Sequence, residues 1–359
     1  MYRETLDWSF REFLKFMFRP KGFEGRIAAG CVAILVTLLG GNWLATLTLD
    51  GDQQLEIGST SAIPEWIQWS LVAIFTTIFV FCVWVGWKRF SYENELRNRK
   101  KIIVLEGRGL REDDGAPLAA AVPTEIVGHR ISITLDLRQR RDGVIIEPQE
   151  LLPEVDAARR SVQQYSKQSD RQDVTLVYGG LTSVPMTFLT GVIFDDEGNI
   201  VVMDWDRARE KWRSLDGGDD GQRFMVEGLG DIGGSREVVL AISASYLVKS
   251  ENIETTFDHP VVRLSLSDVT SSHWSASKQS TLAQQFYDTA KLLEGKGVTT
   301  IHLILAAQNS VAFNLGRRYD KRNLPGVVVY QFEANAEKKY PWGVRMPVRG
   351  ELQPSIVRN

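Results

Sequence analysis

The sequence predicts a membrane protein: an N-terminal two-helix transmembrane hairpin followed by a cytoplasmic α/β domain of two similar subdomains. Three observations predict this architecture. Two long apolar runs without a charged residue, 27–49 and 66–87, lie near the amino terminus. Lys and Arg flank this pair of runs but do not occur between them. Beyond them, the same order of strand and helix patterns occurs twice.

Each apolar run is long enough to cross a bilayer as a helix. Residues 27–49 would rise roughly 34 Å as an α-helix, and a hydrocarbon core is about 30 Å thick. Residues 66–87 form a run of similar length, and both runs carry tryptophans near their ends, as is typical of membrane interfaces. A first run this long, with a second soon after it, is unlike a cleaved signal peptide. We therefore predict two transmembrane helices.

The flanking charges predict how this hairpin is oriented. Positive residues are frequent in 1–26 and directly after 87, whereas the connecting loop 50–65 has none. By the positive-inside rule, the loop lies outside and both ends are cytoplasmic. The aromatic and basic composition of 1–26 predicts an amphipathic segment in the membrane interface, with packing on the soluble domain as the alternative.

Composition argues against several other functions. Neither apolar run contains Asp, Glu, Lys, Arg or His, which transporters and proton relays usually need within the membrane. A net charge of −3 gives no support for non-specific nucleic-acid coating, and DNA binding is not expected. The two cysteines, Cys31 and Cys82, offer neither a disulfide framework nor a Cys-rich zinc site. The four histidines show no metal-binding spacing, so no metal site is predicted.

The cytoplasmic part divides into a connector, two halves and a tail. The connector, 88–119, is predicted to continue the second helix over 91–101 and to form an irregular loop from 106 to 122. The halves are 120–235 and 236–350, and the tail is 351–359.

Strand and helix patterns recur in the same order in the two halves. Short apolar runs separated by helical periodicity are typical of parallel strand–helix–strand units. Val174 precedes Ile301 by 127 residues, as Ile200 precedes Val327, which indicates a duplicated unit; two unrelated units in one larger sheet are the alternative. The first half is predicted to have strands at 131–137, 174–178 and 200–205, a helix at 153–167 and a helix that ends at Gly191. The second half is predicted to have strands at 238–243, 301–305 and 327–332, a helix at 281–294 and a helix that ends at Gly316. The opening strands, 131–137 and 238–243, are predicted to be equivalent.

The second half carries a resemblance to a known family. The segment from Ile301-His302-Leu303 through Leu315-Gly316, followed by Tyr330 and the later Tyr340, resembles the SAVED domain in residue order and spacing. It departs from the family at Ala307-Gln308, where many members have Gly-Pro. The resemblance covers about residues 120–349. It implies two fused CARF-like (Rossmann-like) subdomains, in agreement with the duplication.

The resemblance also implies a function. SAVED domains bind cyclic oligonucleotides made by a synthase in bacterial antiphage (CBASS) systems, and a fused two-helix segment is similar to the membrane effectors of those systems. The implied ligand is a cyclic trinucleotide, with no cofactor besides it. The implied membrane is the bacterial inner membrane, with the loop 50–65 in the periplasm. The implied mechanism is head-to-tail homo-oligomerisation, clustering of the hairpins in the lipid bilayer, membrane disruption and abortive infection. A membrane-anchored enzyme that degrades a cyclic nucleotide and a passive membrane scaffold are the alternatives.

Candidate ligand-binding residues lie where predicted strands end, because parallel α/β sheets bind ligands at the carboxyl ends of their strands. The phosphates of such a ligand bind N–H groups at helix starts and cationic side chains, its ribose hydroxyls and base edges bind amides, and its bases stack on aromatic faces. Helix capping and solvated turns are the alternative roles. The candidates are Gly179, Gly180, Thr182 and Ser183 with their counterparts Gln308, Asn309 and Ser310; Arg138, Arg140, Ser245, Tyr246 and Lys249 after the opening strands; and Trp274 and Tyr330 for stacking.

Overall fold

The computed structural model describes residues 23–39, 44–49, 53–58, 64–109, 117–141, 144–167, 169–195, 198–269 and 272–359. The chain divides into two units, Met1–Asn98 and Arg99–Asn359. Most of the predicted interfacial segment, 1–26, lies outside the described residues.

The first unit contains two apolar helices that pack on each other. Helix α1 is Phe23–Leu39, the hairpin strands β1 and β2 are Leu44–Leu49 and Gln53–Gly58, and helix α2 is Glu65–Arg99. Gln68 Nε2 donates to the Leu38 carbonyl at 2.8 Å, and Ala28 and Cys82 are buried in one apolar cluster. Among the described residues, the α2 stretch Glu65–Glu95 is long and apolar enough to cross a membrane, whereas the apolar part of α1 is shorter.

The predicted first transmembrane helix, 27–49, is therefore only partly helical. Helix α1 ends at Leu39, and Leu44–Leu49 forms β1, which pairs antiparallel with β2 inside the predicted loop 50–65. The physical reason is local sequence: in Leu-Ala-Thr-Leu-Thr-Leu, β-branched Thr occurs at every second position from Thr46, which favours a strand. The predicted second helix is present and continues to Arg99, as expected for the polar stretch 91–101.

The first half of the second unit is a five-stranded sheet with the order β4-β3-β7-β8-β9. Strands β3, β4, β7 and β8 run parallel, and β9 pairs antiparallel with β8. The strands are β3 Lys101–Arg108, β4 His129–Asp136, β7 Val174–Leu181, β8 Ile200–Asp206 and β9 Lys211–Ser214; β5 Arg140–Arg141 and β6 Val144–Ile145 form a separate hairpin, and the helices are α3 Leu118–Ala121, α4 Pro148–Ser166 and α5 Val184–Ile193.

The second half is a seven-stranded sheet with the order β10-β12-β11-β13-β14-β15-β16. Its four central strands, β12, β11, β13 and β14, are parallel. The strands are β10 Met225–Glu227, β11 Glu237–Ser243, β12 Val261–Ser265, β13 Thr300–Ala306, β14 Gly326–Gln331, β15 Trp342–Arg345 and β16 Ser355–Arg358; the helices are α6 Ser250–Glu254, α7 Ala276–Gly295 and α8 Asn309–Arg318. The predicted tail, 351–359, thus contributes β16, whose Ile356 and Val357 are partly buried against β15.

The duplicated fold is present, but its opening strands differ from the prediction. Strand β3 lies between β4 and β7 as β11 lies between β12 and β13, so Lys101–Arg108 is the counterpart of Glu237–Ser243. The predicted counterpart, residues 131–137, is instead equivalent to β12. Residues 101–108 fall in the predicted connector, because their apolar run, 102–105, is short and directly follows a charged helix end. Burial on both faces makes β3 an interior strand.

The two halves meet through helices α5 and α8, which cross at two glycines. A Cβ on Gly316 would lie 2.2 Å from the Phe188 carbonyl oxygen, and one on Gly191 would lie 2.2 Å from that of Phe313. Beside this crossing, the rings of Tyr178 and Phe313 stack with centroids 3.8 Å apart. The close approach places the first turns of both helices, and the strand ends that precede them, next to each other.

Candidate functional site

A cavity of about 1000 Å³ lies where the carboxyl ends of the strands from the two halves converge. Leu181 of β7 and Asp206 of β8 line it from the first half, and Ala306 of β13 and Gln331 of β14 line it from the second. Its size is at the upper end of the range typical of small-molecule sites. Both halves are needed to form it.

The inner wall of the cavity is a polar network at the starts of α5 and α8. Thr182 and Thr187 are joined by a hydroxyl–hydroxyl hydrogen bond of 2.6 Å. Thr187 Oγ1 also donates to Asn309 Oδ1 of the other half at 3.2 Å. The first N–H groups of a helix can bind anions, and no side chain caps the start of α5, which therefore favours a negatively charged ligand in the cavity.

A buried carboxylate, Asp204, connects the halves at this wall. Its Oδ1 accepts the backbone N–H of Trp205 at 2.8 Å, and its Oδ2 accepts that of Ser310 at 2.9 Å. Burial raises the pKa of Asp204, and the N–H groups of Ser310 and then Trp205 partly oppose the rise. Asp204 therefore caps α8 at a cost in desolvation of its charge.

Replacing Asp204 by asparagine is expected to change how stability depends on pH. A carboxyl with a raised folded-state pKa stabilises the fold fully below its unfolded pKa, about 4, and this contribution is lost as pH rises through the folded pKa. The free energy of unfolding of Asp204→Asn relative to wild type should therefore increase between about pH 4 and neutrality, because the variant lacks this loss. Denaturation at several pH values measures it.

The control for Asp204→Asn is Asp288→Asn, which removes an exposed carboxylate from α7. Its stability difference from wild type is measured over the same pH range and serves as the reference. A difference for Asp204→Asn that changes with pH no more than this reference would contradict the role assigned to the buried charge.

The outer wall of the cavity supplies positive charge and an aromatic face. Arg207, Arg209 and Arg213 line it, and all three come from the β8–β9 hairpin of the first half. The Arg213 guanidinium lies 4.7 Å from the ring centroid of Trp274, which belongs to the second half. Arg209 and Arg213 also pair with Asp206 and Asp216, at 3.6 and 3.2 Å. Sequence reasoning missed these arginines, although Arg207-Ala208-Arg209 directly follows a predicted strand.

Half of the sequence-predicted ligand residues line the cavity. They share positions at strand ends, at helix starts or on the loops beside them, and they are Thr182, Ser183, Tyr246, Trp274, Gln308, Asn309 and Tyr330.

The remaining predicted residues have other surroundings. Ser245 Oγ accepts the N–H of Gln308, and Ser310 is buried, with its Oγ bonded to Gln279 Nε2. Both therefore order the wall without lining it. Lys249 is exposed at the start of α6.

The two predicted glycines and two predicted arginines lie away from the lining for clear reasons. A Cβ on Gly179 would meet side chains of Leu118 and Trp212, and one on Gly180 would meet the Tyr178 hydroxyl. These glycines serve packing within β7. Arg138 forms a two-bond ion pair with Asp136, and Arg140 is exposed in β5.

Comparisons with known proteins identify two segments. A family model described as the SAVED-fused 2TM effector domain matches residues 3–152. A second, described as the SMODS-associated and fused to various effectors sensor domain (SAVED), matches residues 158–346. No curated protein matches.

Solved structures of low similarity have also been found. A Cap4 SAVED/CARF-domain containing receptor from Acinetobacter baumannii, with the cyclic trinucleotide 2'3'3'-cAAA, has 12% identity and a TM-score of 0.47, covering 79% of this chain and 60% of that one. The Cap4 receptor from Moraxella osloensis has 12% identity and a TM-score of 0.44, covering 79% and 59%. The chain thus spans about three-fifths of the length of these structures.

Proposed function

Because this chain belongs to the SAVED family and also matches the SAVED-fused 2TM effector domain, we propose that it is a membrane effector gated by a cyclic oligonucleotide in bacterial antiphage (CBASS) immunity. The observation that carries the proposal is the cavity shared by the two halves, which combines the start of α5, three arginines and the exposed tyrosine Tyr246. This chemistry suits an anionic ligand with several phosphates and bases.

The proposed ligand is a cyclic trinucleotide that contacts both halves at once. Arginines of the β8–β9 hairpin would bind phosphates, and Asn309 and Gln308 would bind base edges or ribose hydroxyls. Trp274 and Tyr246 would offer aromatic faces for stacking. The trinucleotide named for one Cap4 receptor supports this choice of ring size.

The proposed output is membrane disruption by assembled protein. A ligand that favours one arrangement of the sensor shifts the population toward it, and head-to-tail contacts between copies would then bring membrane helices together. The covalent connection is short: α2 ends at Arg99, and β3, an interior strand of the first sheet, begins at Lys101. Both termini would be cytoplasmic, and a cyclic-nucleotide synthase would be the functional partner.

The experiment that tests the function uses the full-length protein in detergent with a panel of cyclic di-, tri- and tetranucleotides. A ligand that binds only the folded state increases the free energy of unfolding, by about 2.7 kcal/mol when its concentration is a hundred times Kd. The melting temperature rises as a consequence. We expect one ring size to raise the melting temperature, increase particle size and be recovered intact by chromatography. Failure of every ligand to change melting temperature would contradict sensing, unchanged particle size would contradict assembly, and loss of intact ligand would favour the enzyme alternative.

A further inference from the structure

Two histidines and a glutamate form a cluster at the amino ends of the second sheet, opposite the strand ends that line the cavity. Glu237 begins β11, His302 lies near the start of β13, and His259 precedes β12 by two residues. The three strands are neighbours in the order β12-β11-β13, so residues far apart in sequence converge on one edge. This convergence explains why the spacing of the histidines in the sequence did not reveal it.

The distances in this cluster suit a metal ion. Glu237 Oε2 lies 2.9 Å from His302 Nε2 and 3.7 Å from His259 Nε2, and the three ligand atoms are within 4.8 Å of one another. Ligand atoms of a tetrahedral zinc ion, each about 2.0–2.2 Å from the metal, are separated by roughly 3.3 Å. We propose that Glu237, His259 and His302 form a binding site for a divalent transition metal of the zinc class.

The surroundings of His302 orient it as a metal ligand. Its Nδ1 lies 2.9 Å from the Tyr330 hydroxyl, and its ring stacks on that of His259 with centroids 4.9 Å apart. A histidine that binds metal through Nε2 normally gives its other ring N–H to an oxygen, which fixes the ring and its tautomer. Tyr330 provides that oxygen.

The exposure of the other two ligands gives a metal ion a way in. The side chains of Glu237 and His259 are 48% and 38% exposed, whereas that of His302 is 12% exposed. Water can therefore occupy a remaining coordination position. Two imidazoles with one carboxylate favour zinc and its neighbours in the first transition row over calcium or magnesium, which prefer oxygen ligands. The positive charge of Arg345 acts on both Glu237 and His302 and will moderate the affinity.

The test is calorimetric titration of ZnCl₂ into full-length protein that carries no polyhistidine tag. We expect one tight site per chain in wild type and at least a tenfold weaker site in His259→Ala and in Glu237→Gln, both of which change exposed side chains. His129→Ala, at the exposed first residue of β4, is the matched control and should bind zinc as wild type does. Equal zinc binding by wild type and His259→Ala, or no stoichiometric binding by wild type, would overturn the proposal.

A second variant separates metal coordination from a simple ion pair. Tyr330→Phe removes the oxygen beside His302 Nδ1 but leaves all three ligands in place. Loss of an outer hydrogen-bond partner typically weakens metal binding by about 10–100-fold, so a weakening of about tenfold is expected. A Co²⁺-substituted protein should also show tetrahedral absorption bands that are absent from His259→Ala. Bands equally strong in that variant would place the metal elsewhere.

Discussion

Gly316→Val is expected to lower the free energy of unfolding of the cytoplasmic domain by about 3 kcal/mol, because overpacking a tight contact typically costs 1–3 kcal/mol and here the obstacle is backbone. The new Cβ would lie 2.2 Å from the Phe188 carbonyl oxygen and 3.0 Å from its carbon. A flexible side chain could rotate away from such a clash, but a helix backbone cannot. Helices α5 and α8 must therefore separate, and the two halves of the domain with them. Thermal and urea denaturation of the full-length protein measure the loss.

The matched control for this substitution is Gly295→Ala at the end of α7, where an added Cβ has no heavy atom within 4 Å. It is expected to be neutral or to stabilise the protein by up to about 1 kcal/mol, since Ala favours helix over Gly. The reciprocal variant Gly191→Ala should destabilise, and its combination with Gly316→Ala should cost less than the two separate losses together, because both open the same contact. Wild-type stability of Gly316→Val would show that the helix crossing is looser than described.

The elements of the repeat could be predicted because their signals are local. Strands β7, β8, β13 and β14 are apolar runs bounded by turns, and the helices between them carry helical periodicity. Strand β3 could not be recognised in this way, since its place in the sheet depends on partners 28 and 73 residues further along the chain, at His129 and Val174. The short edge strand β10 likewise depends on pairing with β12, where the partner of Met225 is Ser265, 40 residues further along the chain.

The candidate site was predictable to the extent that it follows from topology. Parallel strands place their carboxyl ends together, so Thr182, Asn309 and Tyr330 could be assigned to one region before any contact was known. Arg207 and Arg209 carry the same signal, because they follow a predicted strand, but Arg213 does not: β9 turns back antiparallel along β8, and this reversal brings Arg213 beside Trp274. A glycine at a strand end can indicate either close packing of neighbouring side chains or a backbone that a phosphate approaches. At Gly179 and Gly180 the reason is close packing against neighbouring side chains.

These two sets of arginines lead to opposite expectations for ligand binding. Arg138 and Arg140 were predicted from sequence as phosphate contacts, yet neither lines the cavity, whereas Arg207 and Arg213 do. A hydrogen bond to a charged group contributes about 1.5–3 kcal/mol, so loss of two should weaken binding of a cyclic oligonucleotide by at least about 100-fold. Arg207→Ala with Arg213→Ala is expected to show this loss with little change in melting temperature, since both side chains lie at the surface of the cavity.

Arg138→Ala with Arg140→Ala removes the same net charge and is therefore the matched comparison. We expect it to change the affinity by no more than about twofold, because neither side chain lines the cavity: Arg138 pairs with Asp136, and Arg140 is in a separate hairpin. Titration of the ligand identified from the panel, at two salt concentrations, measures both variants. If binding depended only on the overall positive charge, both double variants would weaken it by a similar factor. The loss would occur mostly at low salt, since salt screens the attraction between distant charges. If instead only the Arg138/Arg140 variant loses binding, the ligand lies near the carboxyl end of the edge strand β4 and the cavity between the halves is not its site.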